Sequence, residues 1–239
     1  MRLQTRWISR AVLLVLLLST AGPALAQQTN IPRYDVYGGF ADFETPWLNL
    51  SQRGFHTQEG LNWKPSVAIG FDYSEGSGNN SLTPRVLTPA LQQELAAEIA
   101  GLKAEGAIPA SYQLVLPTHA YSETFALGPQ WMIRHYKPFT LFVRPSIGAI
   151  RQRVTPHPAD PVSTAIVAQL IPAGTKLDCE GFYGFGGGFD WNASRHVSVR
   201  LQNDLVHWRL FDGLLAQGTW TNRFSAGVAF HFGRNIAGR

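Results

Sequence analysis

The stretch EGFYGFGGGFDWNASRHVSVRLQNDLVHW, Glu180 to Trp208, decides the fold. Its GFGGGF core invites two readings, a phosphate-cradling loop or a strand. A phosphate loop needs glycines that bend into a helix N-terminus, but here a further strand follows. The Lys-Ser/Thr of a P-loop is missing, and residue 189 is Phe where G-x-G-x-x-G needs glycine. Read with a period of two, Gly184, Gly186 and Gly188 share a face with Asp190. Tyr183, Phe185, Phe189 and Trp191 share the other, with Gly187 as its single gap. The strand reading wins.

The same alternation extends both ways along the chain. In VSVRLQND, Val197, Val199 and Leu201 oppose Ser198, Arg200, Gln202 and Asp204. In PSVAIGFDYS, Val67, Ile69, Phe71 and Tyr73 oppose Ser66, Ala68, Gly70, Asp72 and Ser74. RFSAGVAFHF sets Phe224, Ala226, Val228, Phe230 and Phe232 against Ser225, Gly227, Ala229 and His231. TFALGPQWMIRH and FTLFVRPSIGA continue the pattern, although Pro129 and Pro145 remove ladder donors and favour edges or bulges. RYDVYGGFADF (33–43) reads as a strand, and LSQRGFHTQEGLNW (50–63) as a weak one that the strand count requires.

Connections set the topology. Short joints fall near Lys64, Lys137 and Ala193, and long ones at 74–120 and 151–178, with smaller links at 44–49 and 211–222. Alternating short and long links put every short turn at one end of the sheet, and eight strands account for all of them. Within the longest link, Thr88 and Pro89 are N-cap and first-turn signals. Leu91, Leu95, Ile99 and Leu102 form a stripe that predicts one helix over 89–104, packed on the barrel rim or on a neighbour.

The 239 residues carry a formal charge of +4. Residues 1–26 combine Arg2, Arg6 and Arg10, a short apolar run and small residues before Gln27, the pattern of a cleaved secretory signal peptide. Without those three arginines the charge is about +1, and no basic cluster suggests nucleic acid. Cys179 is the only cysteine, so no internal disulfide and no multi-cysteine metal site is available.

A sheet with one apolar and one polar face suits either a soluble barrel, apolar inside, or a membrane barrel, apolar outside. Arg144, Asp190, Arg200 and Asp204 on the polar face would pair inside a narrow lumen. The bare glycine face would leave room there for side chains such as Arg200 or Arg144. The aromatic face, with Trp131, Tyr183, Phe185, Phe189, Trp191, Phe224 and Phe232, fits interfacial girdles. The expectation is an all-β fold: an eight-stranded antiparallel transmembrane up-and-down β-barrel with three short periplasmic turns, long extracellular loops and one short loop helix. It spans residues 33–233, preceded by a short segment at 27–32 and followed by a tail at 234–239.

Three segments carry a family resemblance: TFALGPQWMIRHYKPFTLFVRPSIGAIRQR, GFGGGFDWNASRHVSVRLQNDLVHWRLF and NRFSAGVAFHFG. They resemble the bacterial outer-membrane-protein β-barrel domain family, the OmpA-like small barrels, over roughly 33–233. The resemblance implies insertion by the outer-membrane barrel assembly machinery, with Phe232 as the aromatic end of the signal strand. It also implies a surround of outer-membrane lipid and lipopolysaccharide. The tail after Phe232 and the long 74–120 insertion depart from the pattern.

Other readings are weaker. His196 and Ser198 share a strand face and resemble the His-x-Ser pairing of lipid A deacylases, but His196 sits at a short turn away from the outer leaflet. His207, His231 and the His157–Asp160 segment assemble no ligand set, and no catalytic, cofactor or metal residue is assigned. Cys179 reads as a loop thiol. An eight-stranded lumen is too narrow for a diffusion porin. A secreted lipocalin-like binding barrel is the soluble alternative.

Overall fold

The computed structural model describes residues 28–237. The expected signal peptide lies outside the described residues. Eight strands form one closed antiparallel barrel in sequence order: β1 (Pro32–Thr45), β2 (Leu50–Lys64), β3 (Val67–Leu82), β4 (Leu116–Tyr136), β5 (Phe139–Pro156), β6 (Lys176–Asn192), β7 (Val197–Trp208) and β8 (Thr219–Asn235). The three short turns fall at the expected places. Closure leaves no unpaired edge, the condition that lipid imposes on a spanning sheet.

Pro129 and Pro145 stand opposite one another. The β4–β5 register runs through Leu127 with Ile147 and resumes at Trp131 with Val143, with the paired prolines between. Their two missing donors thus fall at one place, and the register survives. Followed once around the barrel from Tyr34 through Leu61, Ile69, Pro129, Pro145, Phe185, Leu205 and Asn222, the pairing returns to β1 at Glu44, ten residues on. Eight strands with that stagger tilt by about 40° and enclose an interior that side chains fill.

Several elements are longer than the sequence suggests. β3 and β4 stay paired as far as Leu82 with Leu116, and β5 and β6 as far as Val154 with Lys176. The β3 extension is rich in Ser, Asn and Gly and the β5 and β6 extensions in charged residues, and none has the apolar period that marks a lipid-facing strand. β2 is a full strand. Its signal is weak because Gln52, His56, Gln58 and Asn62 face inward while Thr57 and Glu59 interrupt the outward apolar row. β8 runs on to Asn235, so part of the expected tail is strand.

The loops hold two α-helices rather than one: α1 (Pro89–Ala104) and α2 (Pro161–Leu170). The second starts at a capping box in which Asp160 accepts from Val162 N–H and Ser163 N–H, with Pro161 in the first turn. Thr88 makes no side-chain cap. Leu95 of α1 packs with Ile166 of α2 and with Leu114, so α1 leans on its neighbouring loop rather than on the barrel rim.

The loop end of the barrel is plugged, and the turn end is crossed by a strap with an open cavity of about 860 Å³ beside it, lined by Ile31, Trp63, Lys64 and Arg134 among others. At the loop end, Leu48, Leu50, Val86, Trp208, Leu210, Phe211 and Leu215 form an apolar plug, and Leu48, Leu50, Phe211 and Leu215 line a cavity of about 70 Å³ within it. At the turn end, Gln28 donates through Nε2 to Thr140 Oγ1 at 2.9 Å and to the carbonyls of Tyr136 and Phe139 at 3.1 Å. Ile31, on the same segment, hydrogen-bonds to Asn235 and Ile236. Residues 28–31 therefore cross the mouth from the β1–β8 seam to the β4–β5 turn on the opposite wall.

Candidate functional site: the lumen and the outer wall

Inward positions of β3, β5, β7 and β8 bring ionisable groups to one axis. Asp72 (β3), Arg144 (β5), Asp204 (β7) and Arg223 (β8) close a four-membered ring of alternating charge, and all four are buried. Arg144 reaches Asp72 Oδ2 with Nη1 at 3.0 Å and Asp204 Oδ1 with Nε at 3.2 Å. Arg223 reaches Asp72 Oδ1 with Nη1 at 3.1 Å and Asp204 Oδ2 with Nη2 at 2.7 Å. Gln202 donates to Asp204 Oδ2 at 2.8 Å, and Arg223 to Ser74 Oγ at 2.9 Å. His56 lies between Asp72 and Ser225, at 3.4 and 3.1 Å.

A second layer lies nearer the turns. Arg200 grips Asp190 with Nε at 2.7 Å and Nη2 at 2.9 Å, and approaches Asp35 at 3.4 Å. Its guanidinium lies 4.9 Å from the Phe142 ring centroid and 5.5 Å from that of Tyr37, within cation–π range. Arg134 donates to Asn62 at 2.8 Å, and Asn62 in turn to Asp35 at 3.4 Å. Four lumenal aspartates (35, 72, 190, 204) thus face four arginines (134, 144, 200, 223). The charges balance, and fixed pairing of this kind is what makes buried ions tolerable.

The structure brings together the residues singled out in the sequence, but in two layers: Arg144 with Asp204, and Arg200 with Asp190. Asp72, Arg223, Asp35 and His56 complete those layers. They carry the same inward phase in the alternation, so their face was readable; their pairing depends on register and was not. The glycine face of β6 serves neighbours other than those expected. A Cβ on Gly186 would collide with the Asp204 carboxylate, and one on Gly188 with the Phe142 ring at 2.5 Å. The bare backbone makes room for Asp204 and Phe142 rather than for Arg200 or Arg144.

The hydrolase constellation does not assemble as the sequence suggests. Ser198 is fully buried and its Oγ lies 2.8 Å from Nε2 of His231, not from His196. His196 sits in the turn with Nδ1 on the His231 carbonyl oxygen. Asp160, in the His157–Asp160 segment, spends its carboxylate on the α2 cap, and Ser163 main-chain N–H first among its contacts holds that carboxyl below the usual carboxylate range. Cys179 is exposed on the outer face of β6 rather than in a loop.

The outer wall is the inverse of the lumen. Near the turns, Tyr34, Trp63, Trp131, Phe139, Trp191 and Phe232 point outward and are exposed. Towards the loops, Phe55, Phe125, Tyr183, Trp220 and Phe224 form a second girdle. Trp220 and Phe232, both on β8, are separated by ~30 Å along the barrel axis at ~3.3 Å per residue and a ~40° tilt. Between the girdles lie Val36, Ile69, Leu127, Val143, Ile147, Leu201 and Val228, with Ile147 as much as 67% exposed. A closed sheet with this outer surface, a charged lumen and two aromatic girdles is a membrane barrel. The lipocalin-like alternative requires the opposite arrangement.

No family model and no curated protein matches the chain. Solved structures similar to it include Neisserial surface protein A, at 8% identity and a TM-score of 0.49, covering 83% of this chain and 96% of that one. Ail, the attachment invasion locus protein of Yersinia pestis, is similar at 8% identity and a TM-score of 0.46, covering 84% and 99%. The outer membrane protease OmpT from Escherichia coli is similar at 9% identity and a TM-score of 0.39, covering 80% and 68%. The assignment of this chain to the small eight-stranded barrels rests on its own register, closure and wall chemistry.

Proposed function

We propose that the chain is an integral outer-membrane barrel without catalytic activity, whose sealed wall holds an ordered loop platform at the cell surface for a structural or recognition role. The observation that carries this reading is the sequence of blocks along the axis. An apolar plug, the Asp72–Arg144–Asp204–Arg223 ring, the Arg200–Asp190 layer and the residue 28–31 strap lie in series. A lumen filled at four levels serves as a pillar, and the variable part of such a molecule is what its loops present. Helices α1 and α2, joined through Leu95 and Ile166, give that platform a defined shape.

In this reading the three short turns face the periplasm, lipopolysaccharide surrounds the loop-end girdle, and Phe232 is read by the barrel assembly machinery. Phe232 points outward and stacks on Tyr34 at 5.6 Å, which makes it accessible from the lipid side. Surface proteolysis of intact cells tests the orientation. Cleavage within 83–115 and 157–175 supports it, and cleavage at the Ala193 turn overturns it. Lipid A mass spectrometry with and without the protein, and with Ser198→Ala, tests the absence of lipid hydrolysis; a change in lipid A that Ser198→Ala abolishes would contradict the non-catalytic reading.

A further inference from the structure

Between the two girdles, the outward positions of the eight strands carry one ionisable side chain, Glu59 on β2. It is two outward positions above Trp63, or ~10 Å along the membrane normal at the strand's rise and tilt. No hydrogen bond or ion pair joins it to another described residue, and its cross-strand neighbours are Val36 and Phe71. A carboxyl group facing hydrocarbon lacks every partner that water would supply. Ionisable groups at that depth are costly and mark contacts or pathways.

The wall beside it is shaped for contact. Gly38 pairs with Thr57, and a Cβ placed on Gly38 would meet nothing within 4 Å. The outer surface is notched there, between Val36 and Phe40 along β1 and between Thr57 and Val228 across it, with the paired rings of Phe40 and Phe55 one row nearer the loops. Thr57, next in the outward row, sets beside the carboxyl group a hydroxyl whose contact to the Tyr73 carbonyl oxygen, at 3.4 Å, is longer than an ordinary O–H···O bond and leaves it open to a better acceptor. The patch therefore offers a donor, an acceptor, a hollow and one aromatic ridge within one small area.

We infer that this β1–β2 wall is the face through which two copies of the chain pair in the membrane. A two-fold contact must be self-complementary, and a patch that carries both donor and acceptor meets that condition. Identical copies in one bilayer also lie at the same depth, so a two-fold along the membrane normal brings each Glu59 to the Glu59 and Thr57 row of its counterpart. An unrelated partner would need a donor at a matching depth by separate means. Small residues that allow close approach, with polar side chains bonding across the contact, are the general means of association within lipid.

The inference rests on the membrane embedding proposed above, and the test separates the two. The mature chain with Cys179→Ser and a single outward cysteine, Leu61→Cys on β2 or Val143→Cys on the far wall, is reconstituted into lipid vesicles and oxidised. A heat-dependent shift in gel mobility reports barrel insertion independently of pairing. Expected is a disulfide-linked dimer at position 61 and far less at position 143. Glu59→Leu lowers the yield at position 61 about tenfold, as loss of two symmetric interhelical-strength hydrogen bonds implies, and Glu59→Gln preserves it. Equal yields at positions 61 and 143, or an unchanged yield with Glu59→Leu, overturns the proposal. Sedimentation equilibrium of the unlabelled protein in detergent gives a second readout: a monomer at every concentration overturns it too, including the case in which a different membrane protein covers the patch.

Discussion

Arg200 and Asp190 are directly opposed in the β6–β7 register and joined at both prongs, Nε to Oδ1 at 2.7 Å and Nη2 to Oδ2 at 2.9 Å. The local pairing of two adjacent strands thus sets the geometry of the ion pair, and Phe142 of β5 and Tyr37 of β1 help to bury it. Asp190→Ala leaves Arg200 facing only Asp35 at 3.4 Å. Removing one partner of a buried pair costs about 3–5 kcal/mol, whereas replacing both with apolar side chains of similar volume is near neutral. Urea unfolding from lipid vesicles should show a large loss for Asp190→Ala and recovery of most of it in Asp190→Leu with Arg200→Met.

The glycines of β6 supply a graded comparison on one strand. A Cβ at Gly186 would strike the Asp204 carboxylate that holds Arg144 and Arg223. At Gly181 its nearest neighbour is 3.9 Å away. Gly186→Ala should destabilise the barrel by about 2–4 kcal/mol, the range for overpacking together with a disturbed ion network. Gly181→Ala should remain within about 0.5 kcal/mol of the parent, and the same unfolding measurement decides both.

Helix α2 should respond to acid through its cap. The Asp160 carboxyl is held below its ordinary range, foremost by the Ser163 main-chain N–H. A depressed folded-state value means that the cap's contribution is fully present above the unfolded value of about 3.9 and is lost as pH falls through the folded value. Amide exchange in residues 161–170, corrected for intrinsic rates, should show protection that is constant from pH 7 to pH 5 and declines below pH 4. Asp160→Ala should lower protection at neutral pH by about 1 kcal/mol and remove the pH dependence.

The blocks along the lumen act in series, so no single one controls the passage. Planar-bilayer recordings should show no stable conductance steps for the parent. Phe211→Ala, which opens the apolar plug, should remain silent because the Asp72–Arg144–Asp204–Arg223 ring still fills the section below it. Regular steps in the parent would contradict the pillar reading.

Strand alternation carried most of the fold. The phase of Val197–Asp204 alone assigns Ser198, Arg200, Gln202 and Asp204 to the lumen, where each is buried. The pairing of Arg144 with Asp72 was hidden, because it joins strands separated by the whole of the 83–115 loop and depends on register. α2 was hidden for a different reason: Val162, Ile166 and Val167 are β-branched and read as strand residues, while Asp160 and Pro161 carried the helix signal. Glu59 was obscured by the interruption it causes. A carboxylate in an outward row made β2 look weak, and that weakness marked the one ionisable side chain between the girdles.

Depth-resolved accessibility of the outer wall tests the membrane barrel most directly. In a Cys179→Ser chain reconstituted into vesicles, a spin label is placed in turn at Phe71, Leu127, Ile147 and Val199, all outward and exposed. The account predicts strong relaxation by oxygen, which partitions into lipid, and weak relaxation by a water-soluble nickel complex at all four sites. Nickel access at these sites equal to that of a label in the 105–110 loop would show a wall facing water and contradict the account.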